Sequence, residues 1–463
     1  MKQKKQVLKI YCLLCSMLLL LAGCGSTKVP AAGDGDGGGH SVTAESAGEE
    51  DLTVTFERAE AKGASGTVES SAMEQQTAKT EGRTTGGEDE NSECETPVPE
   101  NNGTEKNDET VPQESFGEPA PPTISLLMIG DILLHTPVEE AAKQEDGSYN
   151  FDAIFANVQE EIQAADLAIV NQEVILGGED LGISGYPAFN APFAVGDALM
   201  DAGFDVICHG TNHALDKGKK GLLNCINFWQ EEYPQAAVLG IHDSQESQDE
   251  IYIYEQDGIK VAILNFTYGT NGIAMPSEMP YAVDMLEEKK VAEAIRKAEE
   301  LADFTVVCPH WGTEYQLQQS SAQEKWAKLF AENGVDLVLG THPHVIQPIE
   351  WVVDEETGHE MLVYYSLGNF VNWTSSSGAG IANRMVGGMA QVTLQQEEDR
   401  VIIAEYDVTP VVCHLEKGTN GVTVYTLDDY TAELGAANQI VHQDASFSLE
   451  YCEQLCDQVW PEF

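Results

Sequence analysis

Hydrophobic and polar positions change texture twice along the chain. Ile10 to Leu21 (IYCLLCSMLLLL) is an unbroken apolar run of 12 residues preceded by four lysines. The run is too short to span a bilayer as a helix, and its length and flanking charge predict a secretory signal over 1–23. Residues 24–121 carry few large apolar side chains. They begin Gly-rich (AAGDGDGGGH), continue in Glu, Thr and Ser, and end punctuated by proline. Such a segment cannot bury enough apolar surface to offset its ordering entropy, which predicts a disordered acidic tether. A coil of that length spans roughly 50–60 Å r.m.s. at ~5–6 Å × √n.

From Thr123 onward, short apolar runs alternate with amphipathic stretches. ISLLMIG (124–130), DLAIV (166–170), DVICHG (205–210), KVAILNF (260–266), DFTVVCPH (303–310), DLVLG (336–340) and MLVYYSLGNF (361–370) predict buried strands. Helical periodicity predicts helices over 192–203, 218–230, 284–302 and 321–334. The alternation predicts an α/β domain over 122–412. Residues 413–463 contain a strand-like GVTVYTL (421–427) and a helical pattern near 447–459. They are expected to form an extension packed on that domain.

Charge sharpens this division. Of the net −53, residues 1–23 contribute four lysines and no acid, and 24–120 contribute 22 acids against 6 bases. Residues 121–463 hold 55 acids against 14 bases, a net −41. That excess excludes the basic footprint a nucleic-acid partner needs. Ten cysteines are too sparse for a disulfide scaffold. Cys452 and Cys456 lie one helical turn apart, an awkward spacing for a disulfide within one helix.

Polar residues follow the apolar runs directly: Asp131, Asn171 and Glu173, Asn212 and His213, His310, then His342 and His344. Sites in α/β proteins form beyond the carboxyl ends of strands, so these loops are expected to converge. Asn171 and Glu173, at i and i+2, can face one site. Asn212 can offer its amide oxygen to a metal with His213 beside it to move a proton. Equally, Asn212 can cap a helix with His213 exposed on its first turn. His310 reads as either a ligand or a core histidine, and His209 as structural. The pair His342-Pro343-His344 is the strongest local signal, because imidazole suits Mn, Fe and Zn. Glu314 can orient a ligating imidazole. Asn369 can serve either packing or the site, and His135 can simply begin a helix.

Taken together, IGDILLH, ADLAIVNQEVIL, DVICHGTNHALDKGKKGL, HWGTEY, GTHPHVIQPIE and YSLGNF resemble the CapA / poly-γ-glutamate capsule-synthesis (PGA_cap) family. That family is a branch of the calcineurin-like metallophosphoesterase superfamily. The resemblance runs from about 124 to 370, more loosely to 412. Thr211 and Gln172 depart from the usual pattern. Leu21-Ala22-Gly23-Cys24 in turn resembles the bacterial lipobox, which implies lipidation of Cys24 and a protein anchored on the extracellular face of the cell membrane.

The resemblance implies a four-layer α/β/β/α sandwich holding two divalent metal ions (Mn, Fe or Zn). Carried over residue by residue, Asp131 would bind the first ion, Glu173 would bridge, and Asn212 would bind the second. His310, His342 and His344 would complete the shells, and His213 would donate a proton. Asn171, Glu314, Asn369 and His135 would support them. The implied activity is metal-dependent hydrolysis or transfer at a phosphoester or amide bond. An anionic envelope polymer would be the substrate, and membrane proteins of capsule synthesis would be partners. A second reading is a non-catalytic surface protein that guides or anchors such a polymer. The net −41 opposes a polyanion unless metals or a local basic patch compensate, and Lys217, Lys219 and Lys220 are the densest bases.

Overall fold

Each apolar run is stopped by Gly or a polar residue, and strands form and stop accordingly. The computed structural model describes residues 120–398 and 400–463. The predicted signal, Cys24 and nearly all of the tether lie outside the described residues. The strands are β1 (Thr123–Ile132), β2 (Leu167–Asn171), β3 (Val206–Cys208), β4 (Ala237–Leu239), β5 (Tyr252–Gln256), β6 (Ile259–Thr267) and β7 (Phe304–His310). They continue with β8 (Leu337–Leu339), β9 (Ile349–Val353), β10 (Glu360–Tyr364), β11 (Asn369–Val371), β12 (Val386–Glu397), β13 (Arg400–Leu415) and β14 (Val422–Thr426). Helices are α1 (Thr136–Ala142), α2 (Gln159–Ala164), α3 (Ala194–Ala202), α4 (Gly218–Glu232), α5 (Gln245–Asp249), α6 (Glu288–Leu301), α7 (Ser321–Glu332), α8 (Ala432–Ala437) and α9 (Leu449–Val459).

Two sheets result. The first runs β14-β13-β12-β1-β2-β3-β4, with β11 also paired to β1; the second runs β5-β6-β7-β8-β10-β9. Parallel pairing fills the centre of each: β1–β2–β3–β4 in one, β6–β7–β8–β10 in the other. Residues of β2, β3 and β7 are buried throughout, as expected where both faces of a parallel sheet are covered.

Strand alternation shows what covers them. Val261, Ile263, Val306, Cys308, Leu337, Leu339, Leu362 and Tyr364 join the core shared with the first sheet. Their neighbours Ala262, Leu264, Val307, Val338, Met361 and Val363 join a separate cluster with Val291 and Ile295 of α6 and Phe330 of α7. Leu199 of α3 and Leu222, Cys225 and Trp229 of α4 pack into the first core. The layers are therefore α/β/β/α. Ser320 and Gln323 form a reciprocal capping box that starts α7.

Three features differ from the sequence expectation. MLVYYSLGNF is not one strand. Its first half is β10 in the second sheet and its last residues enter β11 in the first. Gly368, at φ +65°, turns the crossing. The antiparallel β12–β13 pair was not expected, because the exposed middle of β13, Ala404 to Asp407, breaks its apolar positions into two short runs. The domain limit set at 412 falls inside β13, and β14 extends the same sheet, so the extension is integral to it. Cys452 and Cys456 on α9 are buried, unpaired thiols.

Gly130 breaks the register of β1 against β2 between Ile129 and Asp131, and this bulge sets the direction of Asp131. The Asp131 N–H donates to the Gly368 carbonyl at 2.9 Å. A Cβ on residue 130 would overlap that carbonyl oxygen. Gly130→Ala should therefore destabilise the protein by about 1–3 kcal/mol or more, read as a lower denaturant midpoint. An unchanged midpoint would mean the strand crossing tolerates a methyl group there.

Candidate metal centre

The carboxyl ends of strands from both sheets meet at one place. Asp131 lies near the end of β1, Asn171 ends β2, and Glu173 stands two residues beyond. The loop after β3 brings Asn212 and His213, His310 ends β7, and the loop after β8 brings His342 and His344. Asn369 opens β11. All of these side chains are buried. Helix α4 begins at Gly218, with Lys217 at its cap position, so Asn212 is not a helix cap.

Asp131 is held from three sides. Asn171 Nδ2 donates to its Oδ1 at 2.8 Å, the His342 N–H reaches both oxygens at 3.3 Å, and His344 Nδ1 lies 3.2 Å from Oδ2. His310 Nε2 lies 2.9 Å from Asn212 Oδ1, and its Nδ1 lies 3.1 Å from Thr341 Oγ1. Glu173 sits among imidazoles: His344 Nδ1 at 3.7 Å, His310 Nε2 at 3.7 Å and His213 Nε2 at 3.9 Å. His344 Nδ1 is also 3.1 Å from Asn369 Oδ1. The two departures from the family pattern shape this loop. Thr211 Oγ1 donates to the Glu173 carbonyl, and Gln172 Nε2 donates to that of Val174.

Burial dominates the electrostatics. It raises the Glu173 carboxyl well above the usual range, with His344 opposing and Asp131 adding to the rise. Burial also disfavours charge on His344, but Glu173 and Asp131 outweigh it and lift that imidazole to about 9. Burial, together with neighbouring histidines, holds His310 and His342 well below their ordinary value, so both are neutral.

These donors fit a divalent cation. Both oxygens of Glu173, Asn171 Oδ1 and His342 Nδ1 are buried with no hydrogen-bond partner among the described residues. Buried acceptors left unpaired are costly, and a cation is what carboxylate and imidazole lone pairs would share. Ligand atoms of Glu173, His342 and His344 lie within 4.8 Å of one another.

The other candidates sort by distance. His213 turns Nδ1 to Asp216 Oδ2 at 2.6 Å, and Asp216 also accepts from the Phe189 N–H at 2.7 Å. The Phe189 ring meets His213 edge-on at 4.6 Å and His135 at 5.1 Å. Burial, then His344, His213 and Arg384, pull His135 down to about 4. Glu314 is exposed on the loop after β7. His209 is buried away from the centre, accepting from Trp229 Nε1 at 3.1 Å. Asp216 was not singled out from sequence, although its place three residues after His213 was a usable signal. Tyr268, tilted against His342 with ring centres 4.5 Å apart, and Tyr315, 5.8 Å from His344, carried none.

A metal ligated through His344 must displace the proton that this imidazole holds below about pH 9. Apparent metal affinity should therefore fall as pH drops, by roughly tenfold per pH unit for each proton displaced between pH 8 and 6. Titration calorimetry in two buffers of different ionisation enthalpy should show proton release at pH 7. Buffer-independent heats would contradict it.

Comparison with known proteins agrees with the strand-end motifs. The family model for the bacterial capsule synthesis protein PGA_cap matches residues 125–374. The capsule biosynthesis protein CapA of Bacillus anthracis is 25% identical over 329 residues, covering 67% of this chain and 77% of that protein. The PGA biosynthesis protein CapA of Bacillus subtilis (strain 168) is 26% identical over 261 residues, covering 54% and 64%. Among solved structures, a 5′-nucleotidase precursor from Thermus thermophilus is 14% identical with a TM-score of 0.41, over 73% of this chain and 58% of that one. The calcineurin-like phosphoesterase YfkN from Bacillus subtilis is 16% identical with a TM-score of 0.36, over 72% and 99%. All six motifs lie inside the family match, which spans more than half of the sequence, and the chain belongs to the bacterial capsule synthesis PGA_cap family.

Proposed function

We propose that this protein is a metal-dependent hydrolase or transferase of the cell envelope, acting on a phosphoester or amide bond of an anionic polymer. The observation that carries it is the His213–Asp216 pair beside unpaired buried acceptors. His213 Nδ1 is committed to Asp216, and Nε2 turns toward Glu173. Asp131, Glu173, Asn212, His310, His342 and His344 would hold two divalent ions. When bound, such ions polarise the scissile group and supply a nucleophile near neutral pH. Asp216 takes the hydrogen bond from Nδ1 and orients the ring, so that His213, when both nitrogens carry a proton, can give the one on Nε2 to the leaving group. Phe189 packs against the ring and limits its rotation.

Among the described residues, no helix is long and apolar enough to cross a membrane. Lipidation of Cys24 is the proposed anchor, with the tether between membrane and domain. Membrane proteins of capsule synthesis are the proposed partners. The non-catalytic anchoring reading draws less support. Lys217 Nζ is taken up by Ser184 and the Ala188 carbonyl, and Lys219 pairs with Glu278 at 3.0 Å, which leaves exposed Lys220 as the one lysine of the three with no partner among the described residues.

Metal-loaded protein should cleave either phosphoesters or γ-glutamyl oligomers. His213→Ala should lower kcat by roughly 10²–10⁴-fold while metal content stays unchanged. Asp216→Asn should lower it by about tenfold or more, through loss of the fixed tautomer. Full turnover in His213→Ala would sink the mechanism. Polymer retention without turnover in the unaltered protein would favour anchoring.

A further inference from the structure

Arg384 stands beyond the family motifs and has no role in the chemistry above. It lies in the 3₁₀ turn Ala382–Met385, between β11 and β12. Two contacts tie it to the metal centre. Its guanidinium carbon sits 3.6 Å from the centre of the Tyr315 ring, and that ring is 5.8 Å from the His344 ring. Its backbone carbonyl accepts from Asn369 Nδ2 at 3.0 Å, and Asn369 Oδ1 is 3.1 Å from His344 Nδ1.

Its partners are missing. Arg384 Nε is buried and has no hydrogen-bond partner among the described residues. The folded region holds 55 acids against three arginines. Arg400 is exposed and pairs with Glu397 at 3.2 Å, and Arg296 is exposed on α6. Arg384 alone of the three is half-buried, stacked on an aromatic face beside the site. In so acidic a chain, a guanidinium kept clear of carboxylates and immobilised by stacking is set to receive an oxyanion from outside.

We propose that Arg384, held by Tyr315, binds an oxyanion of the substrate next to the bond that reacts. This rests on the metal-dependent reading and narrows it: the substrate carries a carboxylate or phosphate beside its scissile group. The stacking leaves the planar fork free for a bidentate contact, and the exposed Tyr315 face opens the approach. It also eases the charge problem of a polyanion meeting an acidic domain, because it sets one half-buried guanidinium beside the site while exposed surface carboxylates are screened by salt.

Calorimetric binding of two probes to the manganese-loaded protein tests this: glutarate for a carboxylate source and methyl phosphate for a phosphate source. Arg384→Gln should weaken at least one probe by roughly 10–100-fold, the span of a charged hydrogen bond, with metal content unchanged. Arg384→Lys, which keeps the charge but not the fork, should fall between. The probe that loses affinity names the substrate's anion. Equal affinity in both variants and the unaltered protein, or no binding at millimolar probe by the unaltered protein, overturns the proposal. Turnover is not needed, so Arg384-dependent binding without hydrolysis would leave this inference standing while the catalytic reading fell.

Discussion

Glu173 and Asp131 bring two carboxylates into the interior of the sandwich, and neither oxygen of Glu173 has a hydrogen bond among the described residues. Ionising such a carboxyl costs several kcal/mol, and burial raises Glu173 well above the usual carboxylate range. The surroundings answer with positive charge and neutral imidazole. His344 stays protonated up to about pH 9 because of those carboxylates, while burial keeps His310 and His342 neutral. A proton on His344 and a divalent cation are competing answers to the same electrostatic demand. The rest of the site can be understood as holding these groups in place against their preference for water.

The backbone is bent to that end. His342 and His344 adopt φ +96° and +59°, values that cost free energy for residues with a Cβ. Nearby features hold them there. The Asp131 carboxylate accepts the His342 N–H, and the Tyr315 N–H donates to the Pro343 carbonyl at 2.8 Å. The Gly130 bulge aims Asp131 into the same space. Two sheets deliver these side chains from opposite sides, so the geometry depends on the inter-sheet core more than on any one loop.

Much of this was legible in the sequence. Apolar runs ending in Asp, Asn or His showed the strand ends, because a parallel strand covered on both faces carries few polar positions before it leaves the sheet. The helices over 218–230 and 321–334 were readable from periodicity. What stayed hidden depends on pairing at long range. Nothing local distinguishes the residues of β10 from those of β11, and only the crossing at Gly368 separates them. The half-exposed β13 lacks the pattern of a buried strand. Glu314, expected to support a ligand, is exposed on the loop after β7, and its charge acts on both Glu173 and His344. Arg384 carries no motif. Its setting exists only because the turn before β12 folds back over Tyr315.

Anomalous X-ray scattering from crystals of the manganese- or zinc-supplemented protein tests the metal centre most directly. A peak among Glu173, His342 and His344 is expected, with at least one equivalent of metal per chain and loss of that peak in Glu173→Gln. Less than one equivalent after supplementation, or a peak away from these side chains, would contradict it.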